Sequence, residues 1–477
     1  MEHQPDGTMR RTYLDAINCL NSLQSNFATI EATRKLGIRK NALAMPEMRE
    51  WSRRIGYPDV TVFNRLNVIH ITGTKGKGST CAFTQSILKQ YQPQINKIGL
   101  YTSPHLKSVR ERIRIDGEPI AEEKFTKYFF EVWDMLNSTK SDVQTFPHMD
   151  EGMKPMYFKY LTLLSFHVFM NEGVDTAIYE VGVGGEYDST NIFEAPTACG
   201  VTVLGIDHTF MLGDTIEEIA WNKGGIYKPG SAAFTVPQVP AALAVLEKRA
   251  SEKGDQLQVI DESLAESYEL GIPGDFQRGN AALAVALTGE HLKKLNISVD
   301  EDKTRKGLKE AFWPGRCQTI KDGKITWFID GAHTKESIEA STKWFNTVAS
   351  PNKKRVLLFN QQTRDAAHLV EVLFNSCKLP FDEVIFTTNV TWSSGSYSAD
   401  LVSMNTSKEA VDKLEVQRLL ADKWSSLDAS SKRHVVADIE SSVGIVRDLG
   451  VDVEVFVCGS LHLVGGFLVV LDGKESQ

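Results

Sequence analysis

Residues 66 to 91 constrain the fold of this chain more than any other stretch. Leu66 to Ile71 is largely apolar and partly β-branched, which predicts a buried strand, and Phe83, Ile87, Leu88 and Tyr91 then recur at helical spacing. Between them lies Gly73-Thr74-Lys75-Gly76-Lys77-Gly78-Ser79-Thr80. Glycines let backbone N–H groups curl around anionic oxygens, and the helix that follows presents its positive end to them. Two lysines in so tight a turn repel each other unless an anion faces them. Strand, glycine-rich turn and helix in this order predict a loop that binds a triphosphate. Lys77 would balance charge on a transferred phosphoryl group, and Ser79 or Thr80 would bond a phosphate oxygen or a magnesium ion. The spacing departs from the usual Gly-x4-Gly-Lys-[Ser/Thr], because Ile71 holds the first glycine's place and Gly78 follows the lysine directly.

At 477 residues the chain exceeds one ordinary domain, and about 150 residues per domain predicts two or three. Further buried strands are expected at Thr176 to Val181, Val201 to Ile206, Ile325 to Ile329, Val356 to Phe359, Val384 to Thr387 and Val453 to Val457. Helical stretches alternate with them, the pattern of parallel sheets flanked by helices. The charged, helix-like stretch Asp300 to Phe312 runs into Trp313-Pro314-Gly315-Arg316, where a new strand series begins, so the expected domains are 1–300 and 301–477. Asn137 to Pro155 and Asn389 to Lys408 are polar, rich in turn formers and weakly periodic, and are expected to be surface insertions.

A 42% hydrophobic and 24% charged content is that of a soluble globular protein. A formal net charge of -8 argues against a partner such as duplex nucleic acid, which needs a basic surface. The six cysteines are scattered, with no Cys-x-x-Cys pair, and are expected to be reduced core thiols. The longest apolar runs, Leu161 to Met170 and Leu461 to Leu471, are about half the roughly 20 residues that span a bilayer. The acidic start shows no targeting segment, so the cytoplasm is the expected location, and a mitochondrial form from another start site stays open.

Other candidate groups stand at the ends of expected strands, where open parallel sheets bind ligands. Glu180 closes Ala177-Ile178-Tyr179-Glu180, His208 follows Val203-Leu204-Gly205-Ile206-Asp207, and Ser103 lies in Tyr101-Thr102-Ser103-Pro104-His105. A carboxylate, an imidazole and a hydroxyl would complete a magnesium shell, although histidine is an unusual ligand for so hard an ion. Arg110, Arg112 and Arg114 alternate, so an extended segment would put them on one face, ready to attract an anionic tail.

As a set, these residues resemble the Mur ligase family, and within it the branch that lengthens folates with glutamate. The resemblance runs through Val68 to Ser103, Glu111-Arg112-Ile113, Glu180 to Asn191, Gly205 to Gly230, Asn280 to Ala284, Trp313 to Arg316, Asp330 to His333 and Gly459 to Gly465. A glycine between lysine and serine is that family's form of the loop. The resemblance implies an α/β fold: a phosphate-loop-type, mostly parallel sheet domain plus a smaller Rossmann-like C-terminal domain. It implies an enzyme that uses ATP and magnesium to phosphorylate a carboxylate, after which an amine displaces the phosphate to give an amide. The substrates implied are a reduced folate, L-glutamate and ATP, and the enzyme is expected to be a monomer; a monovalent cation such as K+ is a further candidate. Gly76, Lys77, Gly78 and Ser79 would hold the ATP phosphates, and Ser103, Glu180 and His208 the magnesium. Arg316 and Asp330 would complete the ATP site, with Asn280 on the adenine side and His333 near the incoming amino acid. Lys223 matches the family lysine that is open to carbamylation. Thr334 stands where many members carry asparagine, so no role is carried over to it, and the ligands of Gln361 to Asp365 are left open.

Two rival readings remain at this point. The phosphate loop does not separate tail extension from addition of the first glutamate to dihydropteroate. A non-catalytic nucleotide-binding module would need neither the metal set nor Arg316 and Asp330. A GTPase is disfavoured, because Asn222-Lys223-Gly224-Gly225 lacks the aspartate of the base-reading motif.

Overall fold

The computed structural model describes residues 11–24, 42–362, 365–396, 399–401 and 413–473. The chain divides into two compact units. The first comprises Met1–Pro104, Arg110–Gly271 and Gln277–Phe312; the second comprises His105–Val109, Ile272–Phe276 and Trp313–Gln477.

The first unit is built on β1 (Ile69–Thr72), β2 (Ile98–Tyr101), β3 (Ile113–Ile115), β4 (Glu118–Pro119), β5 (Thr176–Glu180), β6 (Ala198–Val201), β7 (Ala232–Thr235) and β8 (Gln258–Val259). Their order across the sheet is β4-β3-β2-β5-β1-β6-β7-β8. β1 sits between β5 and β6 and runs parallel to both, with Ile69 opposite Ile178 on one side and Ala198 on the other. β2 is parallel to β5, and only β3 and β4 at the edge run antiparallel. The central strands are buried on both faces, as helix-covered parallel sheets require.

Helix Lys77–Lys89 follows β1 directly, with Phe83, Ile87 and Leu88 inward as their spacing predicts. Helix Glu301–Glu310, assigned above to the C-terminal domain, packs on it and belongs to the first unit. Ser86 Oγ donates to the Gly307 carbonyl at 2.6 Å, and a Cβ on Gly307 would lie 2.5 Å from Ile87 Cα. The division therefore falls after Phe312.

The second unit carries β9 (Gln318–Asp322), β10 (Ile325–Ile329), β11 (Lys354–Phe359), β12 (Glu383–Phe386), β13 (Lys432–Val435) and β14 (Val453–Cys458), in the order β13-β12-β11-β14-β10-β9. All pairings are parallel except β9 with β10. The apolar run at Leu461 to Leu471 is a core helix, and no described helix is long and apolar enough to cross a membrane. Segment His105–Val109 lies over this helix: a Cβ on Gly465 would come 2.1 Å from the Leu106 carbonyl oxygen. Asp400 fastens the segment, its Oδ1 accepting from Val109 N at 2.9 Å and its carbonyl meeting His105 Nε2 at 2.8 Å.

Two expectations change. Val201 to Ile206 is not a strand: β6 ends at Val201, and Val203 and Ile206 are 46% and 57% exposed in the loop beyond it. Arg110 and Arg112 lie in a 3-10 turn, Val109–Arg112, so the extended basic face does not form. Arg110 donates to the Ile120 carbonyl and Arg114 to those of Glu111 and Gly117, while Arg112 is buried against Tyr157. Asn137 to Pro155 is largely exposed, as a surface insertion should be, and buried Arg54 fastens it by donating to the carbonyls of Leu136, Thr139, Met149 and Asp150. Much of Asn389 to Lys408 lies outside the described residues. The six cysteines are all unpaired, as expected.

The closeness of the two helices at Gly307 is testable. Gly307→Val is expected to lower unfolding stability by about 2 kcal/mol through overpacking, read from the urea midpoint. An unchanged midpoint would contradict the close approach.

Candidate active site

Because β2, β5, β1 and β6 are parallel, their carboxyl ends share one edge of the sheet. Ser103 follows β2, Glu180 ends β5, the phosphate loop follows β1, and the loop to His208 follows β6. Topology alone thus gathers residues separated by more than a hundred positions.

The phosphate loop is gripped by the loop after β6. Thr74 N and Lys75 N both donate to the Val203 carbonyl, at 3.1 and 3.3 Å, and Thr202 Oγ1 donates to the Lys75 carbonyl at 2.6 Å. Gly73 meets Thr202 so closely that a Cβ would lie 1.8 Å from Oγ1. Gly76, with φ +89°, opens helix Lys77–Lys89, and no side chain caps that helix. Its first N–H groups are therefore offered to an anion. Lys77 Nζ donates back to the Gly73 carbonyl at 3.2 Å, and Lys223 Nζ reaches the same oxygen at 2.8 Å.

Lys223 ends helix Ile216–Lys223 and is buried. Burial, followed by repulsion from Lys77, holds its amine well below the ordinary lysine range, while Asp207 and Asp188 oppose the shift. The amine is thereby biased toward its neutral, nucleophilic form.

Ser103 and Glu180 are brought together: Ser103 N donates to Glu180 Oε2 at 3.0 Å. Glu180 is buried and Ser103 half-buried, which presents hard oxygen donors of the kind magnesium takes. His208 is exposed and adopts φ +49°, an uncommon conformation for a residue with a side chain, directly after the loop that grips residues 73–75. Among the described residues no three His, Cys, Asp or Glu side chains converge as a metal cluster. The candidate set has only two such groups, with a serine as the third.

Sequence reasoning missed most of the supports, Asn280 apart. Asp188 accepts Val183 N at 3.1 Å and Thr190 N at 2.9 Å, shaping the turn after Glu180; burial pushes its carboxyl up, opposed by those donors. Asn222 Oδ1 accepts Gly185 N at 3.0 Å. Gln238 joins the loops after β6 and β7, accepting Leu204 N and donating to the Thr202 carbonyl. Asn280 is buried, with Nδ2 donating to Gln277 Oε1 at 2.8 Å. The Gln-x-x-Asn spacing, one turn of a helix, was the signal available for that pair.

In the second unit, Asp330 follows β10 with both oxygens engaged: Oδ2 accepts Cys317 N at 2.8 Å and Oδ1 accepts Ala332 N at 2.9 Å. Burial pushes its carboxyl up, and Arg316 opposes that shift. Asp330 thus ties the Arg316 turn to the Gly331–His333 turn. Arg316 Nη1 donates to the Gly315 carbonyl, and His333 Nδ1 lies 2.8 Å from the Gly331 carbonyl, so Nδ1 carries the hydrogen. Thr334 caps helix Lys335–Val348 in a reciprocal box with Ser337. Gln361 Nε2 donates to the Gly459 carbonyl at 2.9 Å.

A parallel sheet with a phosphate loop, a carboxylate and a buried lysine at its strand ends, joined to a second α/β unit, defines a nucleotide-using enzyme of the ligase class. Residues 315–470 match the family model described as dihydrofolate synthetase, C-terminal domain. A folylpolyglutamate synthase of Saccharomyces cerevisiae strain FostersO is 58% identical over 479 residues, covering 97% of this chain and 87% of that one. The chain belongs to the folylpolyglutamate synthase family. Among solved structures, the apo form of L. casei FPGS is similar at TM-score 0.73 and 21% identity, covering 97% of this chain and 100% of its own. Mycobacterium tuberculosis folylpolyglutamate synthase complexed with ADP and AMPPCP is similar at TM-score 0.68 and 23% identity, covering 89% and 96%. These two likenesses establish the same fold.

The buried amine yields a stability prediction with a definite sign. A lysine whose folded pKa is depressed binds fewer protons folded than unfolded, so stability rises with pH up to its ordinary value near about 10.4. Lys223→Met is expected to flatten that rise and to add about 1 kcal/mol or more at neutral pH. Thermal unfolding of both proteins across pH checks it; a destabilised variant with the wild-type pH slope would contradict it.

Proposed function

We propose that this chain is an ATP-dependent amide ligase that adds L-glutamate to the γ-carboxylate of reduced folates, and repeats the addition to build a tetrahydrofolyl polyglutamate. The observation that carries the reading is the 58% identity, over 97% of the chain, to a folylpolyglutamate synthase.

A carboxylate is a poor electrophile because it is anionic and lacks a leaving group. In the proposed reaction a γ-carboxylate oxygen attacks the terminal phosphorus of ATP, the bond to ADP breaks, and an acyl phosphate forms. The amine of glutamate then attacks the acyl carbon, inorganic phosphate leaves, and the nitrogen loses its proton. Both steps need positioning and charge neutralisation more than covalent help. Lys77 and the N–H groups of Gly76, Gly78 and Ser79 would hold the phosphates. Arg316 and Asp330 are assigned to the nucleotide, Asn280 to its adenine side and His333 to the incoming amino acid. Magnesium, when bound, supplies charge neutralisation on the phosphates, and Ser103, Glu180 and His208 are the residues that would hold it.

Lys223 is assigned a carbamate. Its neutral amine adds to carbon dioxide, an N–C bond forms, and one proton leaves to solvent, so that a neutral group becomes an anion. A signal from 13C-bicarbonate in wild type that disappears in Lys223→Ala is expected. Location in the cytoplasm, a monomeric state and a potassium requirement remain part of this proposal.

The match of residues 315–470 to a dihydrofolate synthetase model favours a second reading, addition of the first glutamate to dihydropteroate. Product masses from ATP, magnesium, glutamate and either tetrahydrofolate or dihydropteroate separate the two. Serial glutamate additions on tetrahydrofolate are expected; one addition on dihydropteroate and none on tetrahydrofolate would overturn the choice. Lys77→Ala is expected to lose roughly two to three orders of magnitude in rate, measured as folate-stimulated ADP release.

A further inference from the structure

We infer that Gln277 is a positioning residue that orients the Ser79 hydroxyl toward the nucleotide phosphates, an inference that rests on the assignment of the phosphate loop above. Gln277 opens helix Gln277–Lys294 and is fully buried, at 0% exposure. Its Nε2 donates to Ser79 Oγ at 3.2 Å. A serine hydroxyl has one hydrogen and two lone pairs. With one lone pair taken by the amide, the hydroxyl hydrogen cannot point back at Gln277 and turns to another acceptor. At the open end of helix Lys77–Lys89, that acceptor is an anionic oxygen.

An amide free to rotate would present oxygen as readily as nitrogen, and the relay would fail. Gln277 is held against that rotation, because its Oε1 accepts Asn280 Nδ2 at 2.8 Å. Asn280 is itself seated against the loop, with its Oδ1 only 2.1 Å from where a Cβ on Gly76 would stand. The four residues Gly76, Asn280, Gln277 and Ser79 therefore close a ring that begins and ends on the phosphate loop. An apolar pair of the same shape would join the two helices as well, since buried polar pairs add little net stability. What the amide adds is direction.

A double-mutant cycle on the full chain tests this, using Gln277→Leu, Ser79→Ala and the double variant. Affinity for a magnesium complex of a methylene-bridged ATP analogue is measured by calorimetry, with melting temperatures in parallel. Each single variant is expected to weaken binding by about tenfold, and the double variant to bind no worse than Ser79→Ala. Losses that multiply to about a hundredfold, as independent structural damage would give, overturn the inference. Gln277→Glu keeps the shape and puts an acceptor against the hydroxyl. It is expected to weaken binding, and it carries the test if Gln277→Leu does not fold. Wild-type affinity in Gln277→Glu also overturns the inference. A wild-type chain that binds the analogue yet adds no glutamate would overturn the functional reading and leave the cycle readable.

Discussion

Everything at the sheet edge depends on the phosphate loop fitting into a slot that admits no side chain. On one side Thr202 crowds Gly73, and on the other Asn280 crowds Gly76. Both glycines also hold positive φ, which a residue with a side chain rarely adopts, so a substitution there is strained as well as crowded. The slot fixes the Gly73 carbonyl, which becomes the common acceptor for Lys77 and Lys223. Loop, buried lysine and helix Gln277–Lys294 are thereby one unit of packing.

That shared carbonyl explains how two lysines coexist beside it. Neighbouring cations raise each other's cost, and burial raises the cost of the enclosed one further. Lys223 yields, its amine held well below the lysine range, while half-buried Lys77 donates to the same oxygen. Depth separates the two, Lys223 buried and Lys77 only half-buried.

Much of this was legible in the sequence where local and global signals agreed. β10 falls at Ile325–Ile329 as expected, since an uninterrupted β-branched and aromatic run has one favourable environment, a buried parallel strand. β6 was misplaced because Ala198-Cys199-Gly200 has little apolar bulk. The structure supplies the reason, since Gly200 runs so close to Leu287 that a Cβ would lie 2.9 Å from it. The apolar Val203 and Ile206 drew the expectation outward into a loop. Arginine alternation at 110, 112 and 114 failed for a different reason, that period two means one face only in an extended chain. Ser103 and Glu180 meet as the strand-end argument implied. Gln238 was invisible because an amide's worth lies in what it touches, and Gln277 showed only as the first residue of a Gln-x-x-Asn spacing.

The chain is also interleaved. Segments His105–Val109 and Ile272–Phe276 belong to the second unit although they are encoded within the first. Leu106 fills the space left by Gly315 and Gly465, and Asp400 fastens its neighbours. A gene cut after residue 312 would therefore not yield two self-sufficient pieces. The downstream fragment would expose helix Leu461–Asp472 where Leu106 had lain, and the upstream fragment would carry two short segments without the unit they belong to. A single cut in the chain cannot separate the two units, because wherever it falls at least one of them has residues on both sides of it.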